Sequence, residues 1–410
     1  MIKLAVLGGS GVATPGLIRV LLNAEARPPM HVTLVGRTQE KLELVGELSR
    51  RLAAEAETPL EIDYTTDTER GLEGSDYILN QIRVGGYAAR AYDETFPREF
   101  GIPGEETFGP GGMNNARRTI PVVLEYCPII ERVAPDALLI NLTNPSSFIQ
   151  YAVTKYANVK VVGVCDSPAW LGKAIAAFAE VPAEELWVGY IGMHHFGWVT
   201  EAIWLGQDLL PKLLEKVEDL PGLPVDADFV RAIGAIPTSY YKYYYHPDRM
   251  LAKQQGKPAR AEQLMELQGQ IMEDLRDKEW ESLPPSIESR GADWYRGIVV
   301  PVLMAHMNDS GEVFTLNVVN GQAVPWMPPD SIVELPVVVA KSGFHPLSPP
   351  QAPPDIQAMV RVNAAFEMLW TQAVVENSYP KALRAMMLNH LVHNLDQARG
   401  ILEEIWPQDA

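Results

Sequence analysis

The sequence predicts an α/β fold, with a doubly wound parallel sheet over residues 1–165 followed by an α+β domain over 166–410. Three observations lead there. Short apolar runs alternate with amphipathic stretches through the first part of the chain. A glycine-rich turn directly follows the first run, and the alternation gives way to a mixed pattern after Cys165. Strand–helix alternation with uniformly apolar strands is the mark of a sheet covered on both faces.

In chain order, Ile2–Leu7, His31–Val35, Leu60–Tyr64, Tyr77–Ile82, Ala137–Leu142 and Val159–Val164 read as strands. The intervening helical patterns are Pro15–Ala24, Gln39–Ala54, Asn115–Val133 and Pro145–Tyr156. Beyond Cys165 the run Tyr190–Trp198 reads as a strand, and helices are expected at Asp208–Val217 and Ala259–Asp277. Strands follow at Thr315–Val319 and Ile332–Val339. The proline-dense stretch Gly343–Asp355 reads as a surface connection to closing helices at Ala358–Ala373 and Pro380–Glu404.

At 410 residues the chain is long for one hydrophobic core. A hydrophobic content of 47% with 21% charged residues describes an ordinary globular protein. The net charge of -18 argues against a nucleic-acid or anionic-membrane partner, either of which needs a basic face. It leaves room for a phosphorylated small molecule, because one local arginine cluster suffices to hold a phosphate. Two cysteines, Cys127 and Cys165, exclude a disulfide framework and fit a reducing cytoplasm. The chain opens on a strand rather than a leader, and no apolar run approaches the ~20 residues that span a bilayer.

Leu7-Gly8-Gly9-Ser10-Gly11-Val12-Ala13-Thr14-Pro15 joins the first strand to the first helix. Small residues there let amide groups and a helix N-terminus approach a pyrophosphate, the Rossmann-like arrangement. Gly8, Gly9, Ser10, Gly11 and Val12 are therefore expected to bind a dinucleotide. At the end of the second strand an acidic residue would hold a ribose 2′-hydroxyl, but the sequence is Leu34-Val35-Gly36-Arg37-Thr38. Arg37 faces either a 2′-phosphate or solvent, so NAD and NADP both remain open.

Cys165 and His195 each end an apolar run, where a thiolate and an imidazole can share a divalent ion. Two ligands are fewer than a structural zinc site needs. Taken alone, the pair reads equally as a core cysteine near a satisfied histidine.

A wider set of motifs changes that reading. Asn80-Gln81-Ile82-Arg83-Val84-Gly85-Gly86, Ala89–Glu94, and Gly104-Glu105-Glu106-Thr107-Phe108-Gly109-Pro110-Gly111-Gly112 come first. Asn141-Leu142-Thr143-Asn144-Pro145, the Cys165 and His195 segments, Pro237–Tyr245, Ser289-Arg290-Gly291-Ala292 and Asn317–Gly321 come after them. Together these resemble glycoside hydrolase family 4, the NAD- and manganese-dependent glycosidases that include 6-phospho-β-glucosidases, over nearly the whole chain. The resemblance implies a second domain of the lactate/malate dehydrogenase-like type that carries the metal, the substrate and the oligomer contacts. It also implies a homodimer or homotetramer. The implied chemistry is not that of a carboxylate pair. A nicotinamide oxidises C3 of the sugar, the C2 proton is removed, and the aglycone leaves from C1. Water then adds and the hydride returns.

By the same resemblance, Cys165 and His195 are the ligands of Mn²⁺ or another divalent metal, and Tyr240 is the base at C2. Glu106 assists catalysis, and Arg83 lies with the cofactor residues. Asn144, Asp166 and His194 face the sugar, while Arg90 and Arg290 face its 6-phosphate. Each has a plainer alternative: packing for Tyr240 in its run of tyrosines, solvation for Glu106, ion pairs for the arginines, and helix caps for Asn144 and Asp166. The chain departs from the family where Asp166 replaces the asparagine common after the metal cysteine. It departs again where His194 replaces the asparagine before the metal histidine, and where the Arg-Gly-Gly motif reads Arg290-Gly291-Ala292. The predicted activity is hydrolysis of 6-phospho-β-glucosides. Alternatives are a relative acting on unphosphorylated or α-linked glycosides, an NAD-dependent 2-hydroxy-acid-type dehydrogenase, or a non-catalytic nucleotide-binding protein.

Overall fold

The computed structural model describes residues 1–276, 280, 282–349 and 351–406. Six strands of the first part are β1 (Ile2–Leu7), β2 (Met30–Val35), β3 (Leu60–Thr65), β4 (Tyr77–Asn80), β5 (Leu138–Asn141) and β6 (Lys160–Gly163). They pair in the order β3-β2-β1-β4-β5-β6, parallel throughout. Strand order reverses between β1 and β4. That switch point opens a crevice at the C-terminal strand ends, where doubly wound sheets bind ligands.

The second part supplies β7 (Trp187–Met193), β8 (Phe196–Trp204), β9 (Gln207–Asp208), β10 (Ile236–Pro237), β11 (Val313–Val319), β12 (Ile332–Ala340) and β13 (Gly343–Pro346). These extend the same sheet from β6 as β11-β12-β7-β8-β10, all antiparallel, with β13 on β12 and β9 on β8. Among the described residues there is one sheet of 13 strands. Its two faces bury separate cores: on β1, Leu4 and Val6 enter one, while Ala5 and Leu7 enter the other. Burial on both faces explains why the parallel strands read as continuous apolar runs.

The α/β expectation holds, with differences of detail that have physical causes. The helix expected from Asn115 begins at Gly109, because Gly109-Pro110-Gly111-Gly112 is a helix start and not a loop. A Cβ at Gly111 would lie 2.2 Å from the Glu105 carbonyl oxygen, so glycine lets this turn press on the preceding loop. The expected helix Pro380–Glu404 is two helices, Tyr379–Met386 and Leu395–Ile405; Asn394 caps the second through the amide of Gln397. Part of the expected surface connection, Gly343–Pro346, is an edge strand on β12. The helix expected at Asp208–Val217 spans only Leu210–Glu215. Asp277 and Pro350, which fall within two expected elements, lie outside the described residues. No helix among the described residues is long and apolar enough to cross a membrane.

Candidate active site

A cavity of about 520 Å³ runs along the C-terminal ends of the parallel strands. One end is main chain. Gly8 has φ of 84°, and a Cβ there would stand 2.9 Å from the Gln81 carbonyl oxygen. The Gly11 amide donates to the Gly8 carbonyl at 3.0 Å, tightening the turn. Among the described residues the amides of Ser10 and Val12 have no protein acceptor, which leaves them for a ligand. Beneath the turn, Tyr295 donates to Gln81 Oε1 at 2.6 Å and Gln81 Nε2 donates to Thr14 at 3.0 Å. Arg37 is exposed and lines the cavity at its far end. These features fit a dinucleotide.

The other end is built from side chains. Cys165 follows β6, and His194-His195 forms the two-residue turn between β7 and β8, with His195 at φ 61°. One potential ligand atom from each of Cys165, His194 and His195 falls within 4.8 Å of the others, all three residues buried. Nδ1 of both histidines is buried without a hydrogen-bond partner. Burial lowers the pKa of His194 to about 3, and burial together with His194 holds that of His195 well below 6.5. Both rings are thus neutral lone-pair donors. Burial, then Glu334 and Asp166, raise the pKa of the Cys165 thiol. A bound cation reverses that balance in favour of thiolate. A buried sulfur beside two unsatisfied imidazoles fits a divalent ion. His194, expected beside the sugar, is thereby brought within ligand distance. Among the described residues no carboxylate joins this cluster, Asp166 included.

Tyr240 packs flat on the His195 ring, with centroids 3.7 Å apart and planes at 12°. Of the tyrosine run, Tyr240 alone lines the cavity. Tyr241 is wedged against Trp198 at 4.3 Å, Tyr244 against Phe196 and Tyr245 against Phe229. Burial raises the Tyr240 pKa, and Glu105 and Cys165 add to the effect. Only positive charge at the neighbouring cluster favours its phenolate.

At the same end stands buried Glu106. It pairs with Arg83, and with Arg90 through Nη1 at 2.7 Å. Arg90 also pairs with Glu94 at 2.7 Å. Burial opposes ionisation of Glu106, but Arg83, Arg90 and Arg290 outweigh it and lower the pKa. Arg90 is therefore engaged by two carboxylates, the plainer of its two expected roles. Arg290 forms no ion pair among the described residues; it lies 5.1 Å over the Trp294 ring and donates to the Tyr87 hydroxyl at 3.3 Å. Asn144 is not a helix cap, since Pro145 holds that position, and its carbonyl accepts from Asn115 at 3.2 Å. Asp166 does hold the cap position of the helix Ser167–Ala179, yet its side chain makes no capping bond.

The cavity gathers every expected site residue except Gly9, which lies behind the turn against Leu34. A buried group near Cys165 was not foreseen. Glu334 accepts from Tyr190 at 2.8 Å and from Asn317 at 2.9 Å. A lone carboxylate within Ile332-Val333-Glu334-Leu335, a run otherwise apolar, is the signal that could have found it.

Known proteins resemble this chain over nearly its whole length. The model of the family 4 glycosyl hydrolases matches residues 3–181, and that of the family 4 glycosyl hydrolase C-terminal domain matches residues 190–392. A probable 6-phospho-β-glucosidase of Bacillus subtilis is 30% identical, covering 98% of this chain and 95% of its own length. A maltose-6′-phosphate glucosidase of the same organism is 29% identical, covering 99% of this chain and 97% of its own length. The 6-phospho-β-glucosidase of Thermotoga maritima, solved with manganese, NAD⁺ and glucose-6-phosphate, superposes with a TM-score of 0.90 at 25% identity. It covers 99% of this chain and 97% of its own.

Proposed function

The chain belongs to glycosyl hydrolase family 4, and from that premise we propose that it hydrolyses 6-phospho-β-glucosides by C3 oxidation, C2 deprotonation and C1 elimination. Water addition and re-reduction complete the turnover, with a nicotinamide dinucleotide, NAD or NADP, and Mn²⁺ or another divalent metal as the bound groups. The observation that carries this reading is Tyr240 stacked on His195, within one cavity that begins at the Gly8 turn. A general base, a metal-ligating pair and a dinucleotide turn then line one cavity.

When bound, the nicotinamide supplies a reversible hydride acceptor and the ion a Lewis acid. The protein's own groups do the rest. Tyr240 Oη receives the C2 proton. Cys165 and His195, both buried, would hold the ion. Glu106 stays ionised between Arg83 and Arg90 and accepts from sugar hydroxyls. Arg290, without a carboxylate, is the cation for the 6-phosphate. The β preference accords with the relative at 30% identity.

The test is turnover of 4-nitrophenyl 6-phospho-β-glucoside, its α anomer and both unphosphorylated glucosides, with NAD, Mn²⁺ and reductant. In heavy water, deuterium should enter C2 of the sugar released. Faster turnover of the α anomer would reverse the anomeric assignment. Net accumulation of NADH matched to product would make the protein a dehydrogenase.

A further inference from the structure

The adenosine end of the cavity has a feature that a cofactor with a free 2′-hydroxyl leaves unexplained. In dinucleotide sheets that take NAD, a carboxylate near the end of the second strand binds the ribose hydroxyls. Here β2 ends at Val35, and the next residue is Gly36. A Cβ on Gly36 would stand 2.9 Å from Ser10 Cβ and 3.0 Å from Leu42 Cδ1. The position is closed to a carboxylate, or to any other side chain, unless Ser10 and Leu42 shift.

The segment just beyond Gly36 is cationic. Arg37, Thr38 and Lys41 line the same cavity as the Gly8 turn. Neither Arg37 nor Lys41 forms an ion pair among the described residues. The nearest acids on that helix are turned elsewhere: Glu40 pairs with Arg276 at 3.0 Å, and Glu43 accepts from Gln39 at 2.7 Å. The acidic residues that do line the cavity, Glu106 and Asp166, stand at the sugar end. In a chain of net charge -18, a cavity end with two unpaired cations and no carboxylate is a specific local departure.

We infer that Arg37 and Lys41 form a socket for the 2′-phosphate of NADP, so that this chain prefers the phosphorylated dinucleotide to NAD. The inference rests on the proposed nicotinamide-dependent reading of the cavity and sharpens which dinucleotide enters it. Arg37 offers a planar fork to the phosphate oxygens. Lys41 adds a point charge, and Thr38 precedes the helix Gln39–Ala53, whose N-terminus favours an anion.

The experiment is calorimetric titration of the full-length protein, stripped of nucleotide, with NAD⁺, NADP⁺, 2′,5′-ADP and 5′-AMP. NADP⁺ should bind about ten- to a hundredfold more tightly than NAD⁺, and 2′,5′-ADP more tightly than 5′-AMP by a similar factor. The ratio should shrink as salt rises. Arg37→Ala should bring the two dinucleotides to within about threefold of each other, and adding Lys41→Ala should erase what difference remains. Equal or tighter binding of NAD⁺ by the unmodified chain overturns the inference. So does an Arg37→Ala variant that weakens both dinucleotides by the same factor. If neither dinucleotide binds, the underlying nicotinamide reading fails with it, an outcome distinct from a lost preference.

Discussion

The two ends of the cavity are made of different material. At the dinucleotide end the short stretch Gly8–Val12 offers main chain held in shape by glycines, with Arg37 and Lys41 beyond it. At the sugar end they are side chains from four distant places, Glu106, Cys165, His194-His195 and Tyr240. A turn of consecutive residues forms wherever strand and helix pack around it. The sugar end exists only once the antiparallel strands have carried the hairpin turn and the tyrosine back to the end of β6. One end recognises by shape and charge and the other acts by chemistry, so substitutions at the two should fail in different ways.

The largest effect is expected at the chemical end. Tyr240→Phe keeps the ring that lies 3.7 Å from His195 and removes only the hydroxyl. Turnover should fall about 10²–10⁴-fold, the range for losing a general base, with little change in KM. Deuterium incorporation at C2 should fall in step. Retained incorporation would assign the base elsewhere and make the flat packing its whole role.

The arginines divide the sugar end further. Arg90→Ala leaves buried Glu94 and Glu106 without their shared partner, a loss of about 3–5 kcal/mol of stability when a buried pair is broken. Arg290→Ala breaks no ion pair found among the described residues. It should instead raise KM about ten- to a hundredfold for phosphorylated substrates alone. Denaturant midpoints and paired kinetics on phosphorylated and plain glucosides separate the two outcomes. An equal rise in KM for plain glucosides would remove Arg290 from the phosphate.

At the recognition end, Gly9→Ala tests shape alone. The new Cβ would stand 2.8 Å from Leu34 Cα and from the Val35 amide nitrogen, both backbone. Overpacking of this kind costs about 1–3 kcal/mol. The thermal midpoint should drop and dinucleotide affinity should weaken. An unchanged midpoint would mean that the turn gives way to a methyl group without cost.

The same contrast explains what the sequence revealed. The six parallel strands were legible to within two residues at each end, because burial on both faces leaves unbroken apolar runs. The glycine turn was legible because its residues are contiguous. The hairpin was half legible: Tyr190–Trp198 read as strand, but His194-His195 carries none of the Asn-Gly or Asp-Gly signals of a two-residue turn. Its flanking Gly192 and Gly197 are explained only by the pairing itself, since a Cβ on Gly192 would meet Gly197 Cα at 2.3 Å. That Tyr240 alone among its neighbours faces the cavity could not be read from five tyrosines in six residues. Which face each presents depends on Trp198, Phe196 and Phe229, contacts absent from any local pattern. The family resemblance grouped the sugar-end residues, but it could not say that Arg90 is held by two carboxylates while Arg290 is free of them.

The smallest effect probes the seam between the halves. Glu367, on the helix Pro354–Val375, accepts from Asn363 at 2.8 Å. Asn363 in turn reaches Met193 of the hairpin at 3.5 Å. Burial lifts the Glu367 pKa from 4.5 to about 8, and Glu334, which feels its charge, is likewise raised to about 8. Tyr244 also feels that charge. Between the two values the folded chain keeps a proton that the unfolded chain releases. The stabilisation is therefore complete below pH 4.5 and is lost as pH rises toward 8. One such proton gives a downward slope of about 1.4 kcal/mol per pH unit. Glu367→Gln should remove that much of the slope and leave the share of Glu334. Urea melts of wild type and variant at pH 5.5, 6.5 and 7.5 measure it. If the slopes coincide, Glu367 is ionised in the fold, and the seam is wetter than its full burial implies.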